Sequence, residues 1–315
     1  LIDQPLITND SFTLGKARHI SDATGRYVEF CKGSLPSQFN LAGFKIVLDC
    51  ANGATYNAAP KVFKELGAHT ITMATEPNGF NINDKCGSTY MEGLCARVVE
   101  ENADFGIALD GDGDRVLFSD ANGEIVDGDE LIYIIAQHRL RSGQGCNGVA
   151  GTLMSNLGLE LALKDLNIPF LRTKVGDRYV VEALKDNDWN LGGEASGHVL
   201  CSDLNTTGDG IVAALQVIRA ISDGGKPLAD LKLGMSKFPQ TMINVRLAKK
   251  VDITENNAIN AAVAEAEQKL AGRGRVLLRP SGTEPLIRVM AEGDDQALVE
   301  QQVKAIAKIV EQQVG

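Results

Sequence analysis

Three aspartates at alternate positions, followed directly by an arginine, form the stretch DGDGDR at residues 110–115. Like charges this close repel one another, so the ionised side chains of Asp110, Asp112 and Asp114 need a counter-charge. A hard divalent cation supplies one, and magnesium in proteins is bound by carboxylates together with water or phosphate oxygens. Arg115 adds a fixed positive charge beside the aspartates. The stretch therefore predicts a magnesium site next to a phosphate group.

The apolar residues before this stretch predict the element that positions it. Residues 105–109, FGIAL, form a short apolar run that is typical of a buried strand in a parallel sheet. Asp110 would then lie at the carboxyl end of a strand, where open α/β sheets bind their ligands. In an extended backbone, residues two apart face the same side, so we expect the three carboxylates to converge. The intervening glycines would let the backbone approach the cation closely.

The aspartates have two other interpretations. A surface turn is the simpler one, because aspartate and glycine are common in turns. A calcium-binding EF-hand loop also alternates aspartates, but it requires glycine at its sixth position and glutamate at its twelfth. Arg115 and Ala121 occupy those positions here. The sequence therefore favours the magnesium site over both alternatives.

A second stretch, GGEASGH at residues 192–198, has the groups that a polar ligand requires. Glu194, Ser196 and His198 place a carboxylate, a hydroxyl and an imidazole on a glycine-rich loop. Such a set both donates and accepts hydrogen bonds, as recognition of a sugar's hydroxyl or amine groups demands. The alternative is a turn that caps a helix, because short glycine-rich loops are common.

Two further stretches carry positive charge. Residues 279–285, RPSGTEP, together with Arg288 place two arginines around hydroxyls and backbone N–H groups, which indicates an anion-binding loop. No helix follows it, so it is not a Walker A phosphate loop, and a hairpin with surface arginines is the alternative. Residues 173–179, TKVGDRY, place Lys174 and Arg178 around a glycine before a predicted helix. They are weaker candidates for contacts with a sugar or phosphate, because surface charge explains them nearly as well.

Composition bounds the class of protein. The chain has 315 residues, 44% of them hydrophobic, and a formal net charge of −10, which argues against a nucleic-acid-binding or anionic-membrane-binding surface. No apolar run reaches membrane-spanning length, and no signal peptide opens the chain. The six cysteines form no C-x-x-C pair. Reduced thiols and a cytoplasmic location are the expectation.

Strand and helix patterns alternate as far as about residue 220, which predicts α/β domains with largely parallel sheets. The stretch GGKP at residues 224–227 marks a break, after which two helices and several strands predict a small α+β domain. We therefore expect an α/β fold of two consecutive mixed α/β domains followed by an α+β domain. The expected domains are residues 1–115, ending in the aspartate loop, 116–234, with the 192–198 loop, and 235–315.

Together these stretches resemble the α-D-phosphohexomutase superfamily, in the family's order and over essentially the whole chain. Residues 49–54, 174–180 and 207–210 are similar to its glucosamine branch in particular. The resemblance implies interconversion of glucosamine 6-phosphate and glucosamine 1-phosphate. The reaction would use a phosphoserine, magnesium and a glucosamine 1,6-bisphosphate intermediate. A phosphomannomutase or phosphoglucomutase remains open, and so does a sugar-phosphate-binding protein without catalysis.

The resemblance also implies a role for each candidate residue. Asp110, Asp112 and Asp114 would bind magnesium, and Arg115 would steady the transferring phosphoryl group. Glu194 and Ser196 would bind the sugar, with His198 close by and with Lys174 and Arg178 as further contacts. The phosphate that does not react would be held by Arg279, Ser281, Gly282, Thr283 and Arg288. The partner would be a phosphorylated hexosamine, with no nucleic acid or membrane, and a homodimer remains open.

One element of the family pattern is not found. The family's phosphoserine lies in an amino-terminal domain within a Ser-His-Asn-Pro context, and no serine of this sequence has that context. We therefore expect the chain to correspond to the second, third and fourth domains. By itself it should bind metal weakly and should not catalyse the mutase reaction.

Overall fold

The computed structural model describes residues 4–5, 7–247, 253, 256–270, 272–280 and 285–314. They form three β-sheets with helices packed against each. This architecture confirms the predicted α/β fold with a smaller α+β unit at the carboxyl-terminal end.

The first sheet is five-stranded, in the order β2-β1-β3-β4-β5. Its strands are β1 (Lys45–Asp49), β2 (His69–Met73), β3 (Phe105–Leu109), β4 (Val116–Asp120) and β5 (Ile125–Val126), and its helices are α1 (Ala23–Lys32), α2 (Ala59–Glu65) and α3 (Glu92–Glu101). Strands β1, β2 and β3 are parallel, whereas β4 runs antiparallel to β3 and to β5. Every residue of β3 is buried, as the apolar run predicts.

The first sheet extends beyond residue 115, where the sequence analysis divided the first two domains. Strands β4 and β5 follow that point, yet both belong to the first sheet because β4 folds back beside β3. The turn after the aspartates is therefore a connection within one sheet. We propose a division near residue 127 instead.

The second sheet is four-stranded, in the order β7-β6-β8-β9. Its strands are β6 (Val149–Thr152), β7 (Phe170–Thr173), β8 (Leu191–Gly193) and β9 (Val199–Cys201), and its helices are α4 (Gly128–Arg141), α5 (Leu157–Asp165), α6 (Asp177–Asn187), α7 (Gly210–Gly224) and α8 (Leu228–Leu231). Strands β7, β6 and β8 are parallel. Their carboxyl ends therefore present their loops at one edge of the sheet.

The third sheet is antiparallel and three-stranded, in the order β10-β12-β11. Its strands are β10 (Gln240–Arg246), β11 (Gly274–Pro280) and β12 (Leu286–Gly293), and its helices are α9 (Asn257–Leu270) and α10 (Gln296–Val314). Helix α9 buries Ile259, Ala266 and Leu270, which lie on one face at helical spacing. This unit has an apolar core of its own.

Helices α4 and α7 join the first two sheets. Both are buried along most of their length, and one continuous apolar core includes residues of both sheets and of both helices. A shared core of this kind leaves little freedom for the sheets to move against each other. The loops of the two sheets are therefore held in a fixed relation.

The segment that leads into the third sheet is fastened to the second. The Asn156 side chain both donates to and accepts from the backbone of Phe238, each at 2.9 Å. The ammonium group of Lys237 forms ion pairs with Asp127 and Glu130, the two residues of the capping box that opens α4. Arg275 on β11 donates to the carbonyl oxygen of Ser155 at 2.8 Å. Side-chain contacts, more than apolar packing, therefore position the third sheet.

None of the helices in the part of the chain that the structure describes is long and apolar enough to span a membrane.

The buried carboxyl group of Asp129, in α4, predicts a pH dependence of stability. Asp129 is fully buried and accepts the N–H of Asn156 at 2.7 Å. Burial, with a smaller contribution from Asp127, raises the pKa of Asp129 from 3.8 to about 7. Between these values the folded chain binds a proton that the unfolded chain has released. Stability should therefore fall as the pH rises through this window, by at most about 1.4 kcal/mol per pH unit.

The Asp129→Asn variant should lack this dependence, because its amide does not titrate. We expect it to gain stability relative to the wild type between pH 5 and pH 8, as measured by urea unfolding followed by circular dichroism. Asp186→Asn, at an exposed carboxyl group of α6, is the matched control. Equal pH dependence of the wild type and the Asp129 variant would contradict the prediction.

Candidate active site

The three aspartates lie in the loop between β3 and β4. One oxygen from each of Asp110, Asp112 and Asp114 lies within 4.8 Å of the others. Residues 110–115 do not continue the strand, and Gly113 has a φ of 82°, in the left-handed region that glycine favours. The carboxylates therefore converge through a tight turn, and the expected extended alternation was wrong.

Backbone groups offset part of the charge of Asp110. Its Oδ1 atom accepts the N–H groups of Gly113 and Arg115, each at 3.1 Å. Burial raises the pKa of Asp110 to about 6, the N–H of Arg115 opposes this rise, and the charges of Asp114 and Asp112 add to it. The Arg115 Nε atom lies 3.8 Å from Asp110 and 3.9 Å from Asp114. One cationic side chain thus lies close to two of the three acidic groups.

The site has the features of a divalent-cation site. The Oδ1 atom of Asp114 is buried and accepts no hydrogen bond from the described residues. A buried carboxylate oxygen without a partner is costly, and a cation would relieve that cost together with the mutual repulsion of the carboxylates. Three carboxylate oxygens suit a hard cation such as magnesium, which completes its shell with water or phosphate oxygens.

Two neighbouring elements hold the aspartate loop in place. Ala54 donates its N–H to the carbonyl oxygen of Gly111 at 2.8 Å, and Gly210 donates its N–H to that of Gly113 at 2.9 Å. Gly210 is the first residue of α7, so the positive end of this helix dipole lies against the acidic loop. Both stretches, 49–54 and 207–210, carried the resemblance to the glucosamine branch, but the sequence analysis gave them no role.

Asp49, at the end of β1, is a residue that the sequence analysis missed. Its buried carboxylate accepts the N–H groups of Ala51 and Gly87, each at 2.8 Å. Ser88 in turn donates its N–H to the carbonyl oxygen of Leu109. Asp49 therefore fastens the loop around Ala54 and the loop around Gly87 to the end of β3. The available signals were a carboxylate at the end of a buried strand and its place in the 49–54 stretch that carried the resemblance.

The 192–198 stretch leads from β8 through a turn into β9, and the carbonyl oxygen of Ala195 in this turn accepts the N–H of Gly128, the first residue of α4, at 3.0 Å. The N–H of Glu194 donates to the carbonyl oxygen of His198, and the N–H of Gly197 donates to the carbonyl oxygen of Glu194, each at 3.0 Å. The Glu194 carboxylate accepts the N–H of Gly176 at 3.1 Å and the hydroxyl of Ser196 at 3.4 Å. The turn is thereby joined to the loop that follows β7.

Lys174 and Arg178 lie on that loop and on the first turn of α6. Both are exposed, and both cationic groups lie over the ring of Tyr179, at 5.7 and 5.0 Å from its centre. Arg178 also forms an ion pair with Glu182 at 3.4 Å. The loop that follows β7 is joined to the Glu194 turn by the hydrogen bond from the N–H of Gly176.

The side chain of His198 has different surroundings from those of Glu194 and Ser196. It is 5% exposed, and its Nδ1 atom is 2.9 Å from Oδ2 of Asp114. The imidazole therefore contacts the aspartate loop, although the resemblance grouped it with the sugar contacts.

The two predicted anion-binding arginines lie side by side on adjacent strands of the third sheet. Arg279 on β11 is directly opposite Arg288 on β12, and within the described residues neither forms an ion pair. Each has a buried Nε atom that lacks a hydrogen-bond partner there. Burial and the charge of Arg288 lower the pKa of Arg279, whereas the charge of Glu194 raises it. Like charges in opposite positions are unfavourable, and a bound anion would relieve them.

Ser281, Gly282 and Thr283 complete the predicted anion-binding loop, but they lie outside the described residues. The contact of His198 with Asp114 brings the acidic loop and the polar turn into one region of the molecule.

Comparison with protein families gives three matches in consecutive order. Residues 25–123 match the alpha/beta/alpha domain II of the phosphoglucomutase/phosphomannomutase family, residues 127–238 match its alpha/beta/alpha domain III, and residues 242–309 match its C-terminal domain.

Curated relatives give a finer comparison. The chain is 58% identical over 309 residues to the phosphoglucosamine mutase of Teredinibacter turnerae, and 57% identical over 310 residues to that of Cellvibrio japonicus. Each match covers 98% of this chain and 69% of the relative.

Solved structures share the fold at lower identity. An N-acetylphosphoglucosamine mutase from Aspergillus fumigatus, solved in complex with GlcNAc-6P and magnesium, is 20% identical with a TM-score of 0.74. A phosphoglucomutase/phosphomannomutase family protein from Burkholderia thailandensis is 21% identical with the same TM-score of 0.74. The chain spans 65% and 64% of the length of these two structures, which cover 92% of it. By its three consecutive domain matches and its close relatives, the chain belongs to the phosphoglucomutase/phosphomannomutase family.

Proposed function

We propose that this chain provides the metal-, sugar- and phosphate-binding parts of a phosphoglucosamine mutase, which interconverts glucosamine 6-phosphate and glucosamine 1-phosphate. One observation carries the proposal. Three carboxylates with oxygen atoms within 4.8 Å of one another stand at the end of β3, in a chain 58% identical to a phosphoglucosamine mutase. Phosphoryl transfer depends mainly on positioning and on neutralisation of charge, and this arrangement suits both.

Asp110, Asp112 and Asp114 would hold magnesium. The metal would neutralise negative charge on the phosphoryl group during transfer. Arg115 would contribute a second positive charge, since its side chain is 44% exposed and its guanidinium group can reach a phosphate beside the aspartates. Glucosamine 1,6-bisphosphate would be the intermediate of the reaction.

The Glu194 turn would hold the sugar. The N–H of Gly176 orients one oxygen of the Glu194 carboxylate, while the other lies beside the hydroxyl of Ser196. These groups can accept from the hydroxyl groups and the ammonium group of glucosamine phosphate, and Ser196 can also donate. Lys174 and Arg178 would add positive charge at the entrance.

The arginine pair would hold the phosphate that does not react. Arg279 and Arg288 can each bind a phosphate through two N–H groups, and Ser281, Gly282 and Thr283 would add hydroxyl and backbone donors. Binding of one phosphate at a separate unit leaves the other free to face the aspartates. The six cysteines are free thiols, and we include a cytoplasmic location in the proposal.

Removal of one aspartate tests the metal site. Asp112→Asn should weaken the affinity for Mg²⁺ at least about tenfold, because even outer partners of metal ligands have effects of this size. Isothermal titration calorimetry with MgCl₂ measures the affinity. Asp84→Asn removes the same charge from an exposed position and should bind as the wild type does. Unchanged affinity in the Asp112 variant would contradict the assignment.

A change at Glu194 tests the sugar site. Glu194→Gln keeps the shape of the side chain but loses the charge-assisted hydrogen bond to the ammonium group of the sugar. A hydrogen bond of this kind contributes about 1.5–3 kcal/mol, so the affinity for glucosamine 6-phosphate should fall about tenfold or more. The affinity for glucose 6-phosphate, which lacks the amine, should change less. Calorimetry measures both, with Glu311→Gln on the exposed face of α10 as the control. Equal losses for both sugars would argue against this role.

Turnover tests the function as a whole. Because the chain covers 69% of the Teredinibacter turnerae relative, the assay uses this chain joined to the part of that relative outside the match. We expect magnesium-dependent conversion of glucosamine 6-phosphate by the joined protein and none by the chain alone. Preference for mannose or glucose phosphates would contradict the proposed substrate. Binding without turnover by the joined protein would contradict the mutase function.

A further inference from the structure

His198 directs its imidazole away from the Glu194 turn and into the protein. It is the residue before β9, and its side chain is 7% exposed. Its Nδ1 atom lies 2.9 Å from Oδ2 of Asp114. An ionised carboxylate only accepts hydrogen bonds, so Nδ1 carries the hydrogen and donates it to Asp114. The Nε2 atom is buried and has no hydrogen-bond partner among the described residues.

The position of the ring is fixed from several sides. The carbonyl oxygen of His198 accepts the N–H of Glu194, and the carbonyl of Gly197 accepts the N–H of Val116, each at 3.0 Å. Gly208 packs against the opposite side of the ring. A Cβ atom at Gly208 would lie 2.4 Å from Cε1 of His198 and 2.5 Å from Nε2, closer than any ordinary contact. The imidazole therefore has little freedom to turn from Asp114.

The hydrogen bond from His198 gives the two oxygens of Asp114 different roles. Oδ2 is occupied by His198, whereas Oδ1 is buried and accepts no hydrogen bond from the described residues. With Oδ2 tied to a rigid ring, the carboxylate cannot rotate freely, and Oδ1 stays available beside Asp110 and Asp112. Outer hydrogen bonds of this kind orient metal ligands in many proteins.

We propose that His198 is a positioning residue that holds Asp114 in the orientation needed for metal binding, and that it does so through Nδ1. The inference rests on the proposed function, since it takes the aspartates to be metal ligands. It gives the 192–198 stretch two roles: Glu194 and Ser196 would contact the sugar, while His198 orders the metal loop. Loss of the His198 imidazole would then lower the affinity for metal even when no sugar is bound.

Substitutions that place an amide nitrogen at the position of one ring nitrogen or the other test this positioning role. The side-chain nitrogen of Asn can take the place of Nδ1, whereas that of Gln reaches the place of Nε2. His198→Ala and His198→Gln should weaken Mn²⁺ binding by about 10- to 100-fold, as removal of outer hydrogen bonds to metal ligands does. His198→Asn should stay within a few-fold of the wild type. Titration calorimetry with MnCl₂ alone, in the absence of sugar, gives the affinities.

A second variant leaves the histidine intact. Gly208→Ala should displace the ring and weaken Mn²⁺ binding, although Gly208 itself offers no side chain to a ligand. If the alanine acts through the ring, the double variant with His198→Ala should bind Mn²⁺ no more weakly than His198→Ala alone. Circular dichroism spectra and melting temperatures identify any variant that fails to fold.

The outcomes separate the inference from the function on which it rests. If the wild type binds Mn²⁺ and Asp112→Asn does not, but all His198 variants bind as the wild type does, the positioning role is wrong and the metal site stands. Rescue by Gln rather than Asn would also overturn it, because Nε2 would then be the active nitrogen. If the wild type itself binds no Mn²⁺, both the metal site and the inference fail.

Discussion

Repulsion among three carboxylates within one short turn is the constraint around which this structure is built. Arg115 is the only cationic side chain in residues 110–115, and its nearest approach to these carboxylates is 3.8 Å. Further partial positive charge comes from the turn itself and from its neighbours. The backbone N–H groups of Gly113 and Arg115 donate to Asp110, the imidazole of His198 donates to Asp114, and the amino-terminal end of α7 lies against the carbonyl of Gly113. These contacts hold the acidic groups together and leave the remaining charge to a bound cation.

The sheets also position the loops that carry the other polar groups. In parallel sheets the carboxyl ends of neighbouring strands meet at one edge, so the loops after β1, β3, β7 and β8 carry the site. Helices α4 and α7 join the first two sheets through one apolar core, which fixes those loops relative to one another. The third sheet has a separate core and is held through Asn156, Lys237 and Arg275.

One short turn illustrates how the fold assigns different tasks to neighbouring residues. The 192–198 stretch reverses direction between β8 and β9, so that Glu194 reaches the loop of Gly176 while His198 points into the protein. A single stretch thus contacts two parts of the site.

The sequence by itself determined the elements and chemistry that depend on neighbouring residues. The apolar run before Asp110 predicted β3, and the motifs with their resemblance predicted the family. Tertiary structure decided what depends on residues far apart in the chain. The pairing of β4 with β3, the contact of His198 with Asp114 and the opposition of Arg279 and Arg288 are of this kind. A local pattern states which groups a loop carries, but their direction is set by packing against other elements, which no short stretch contains.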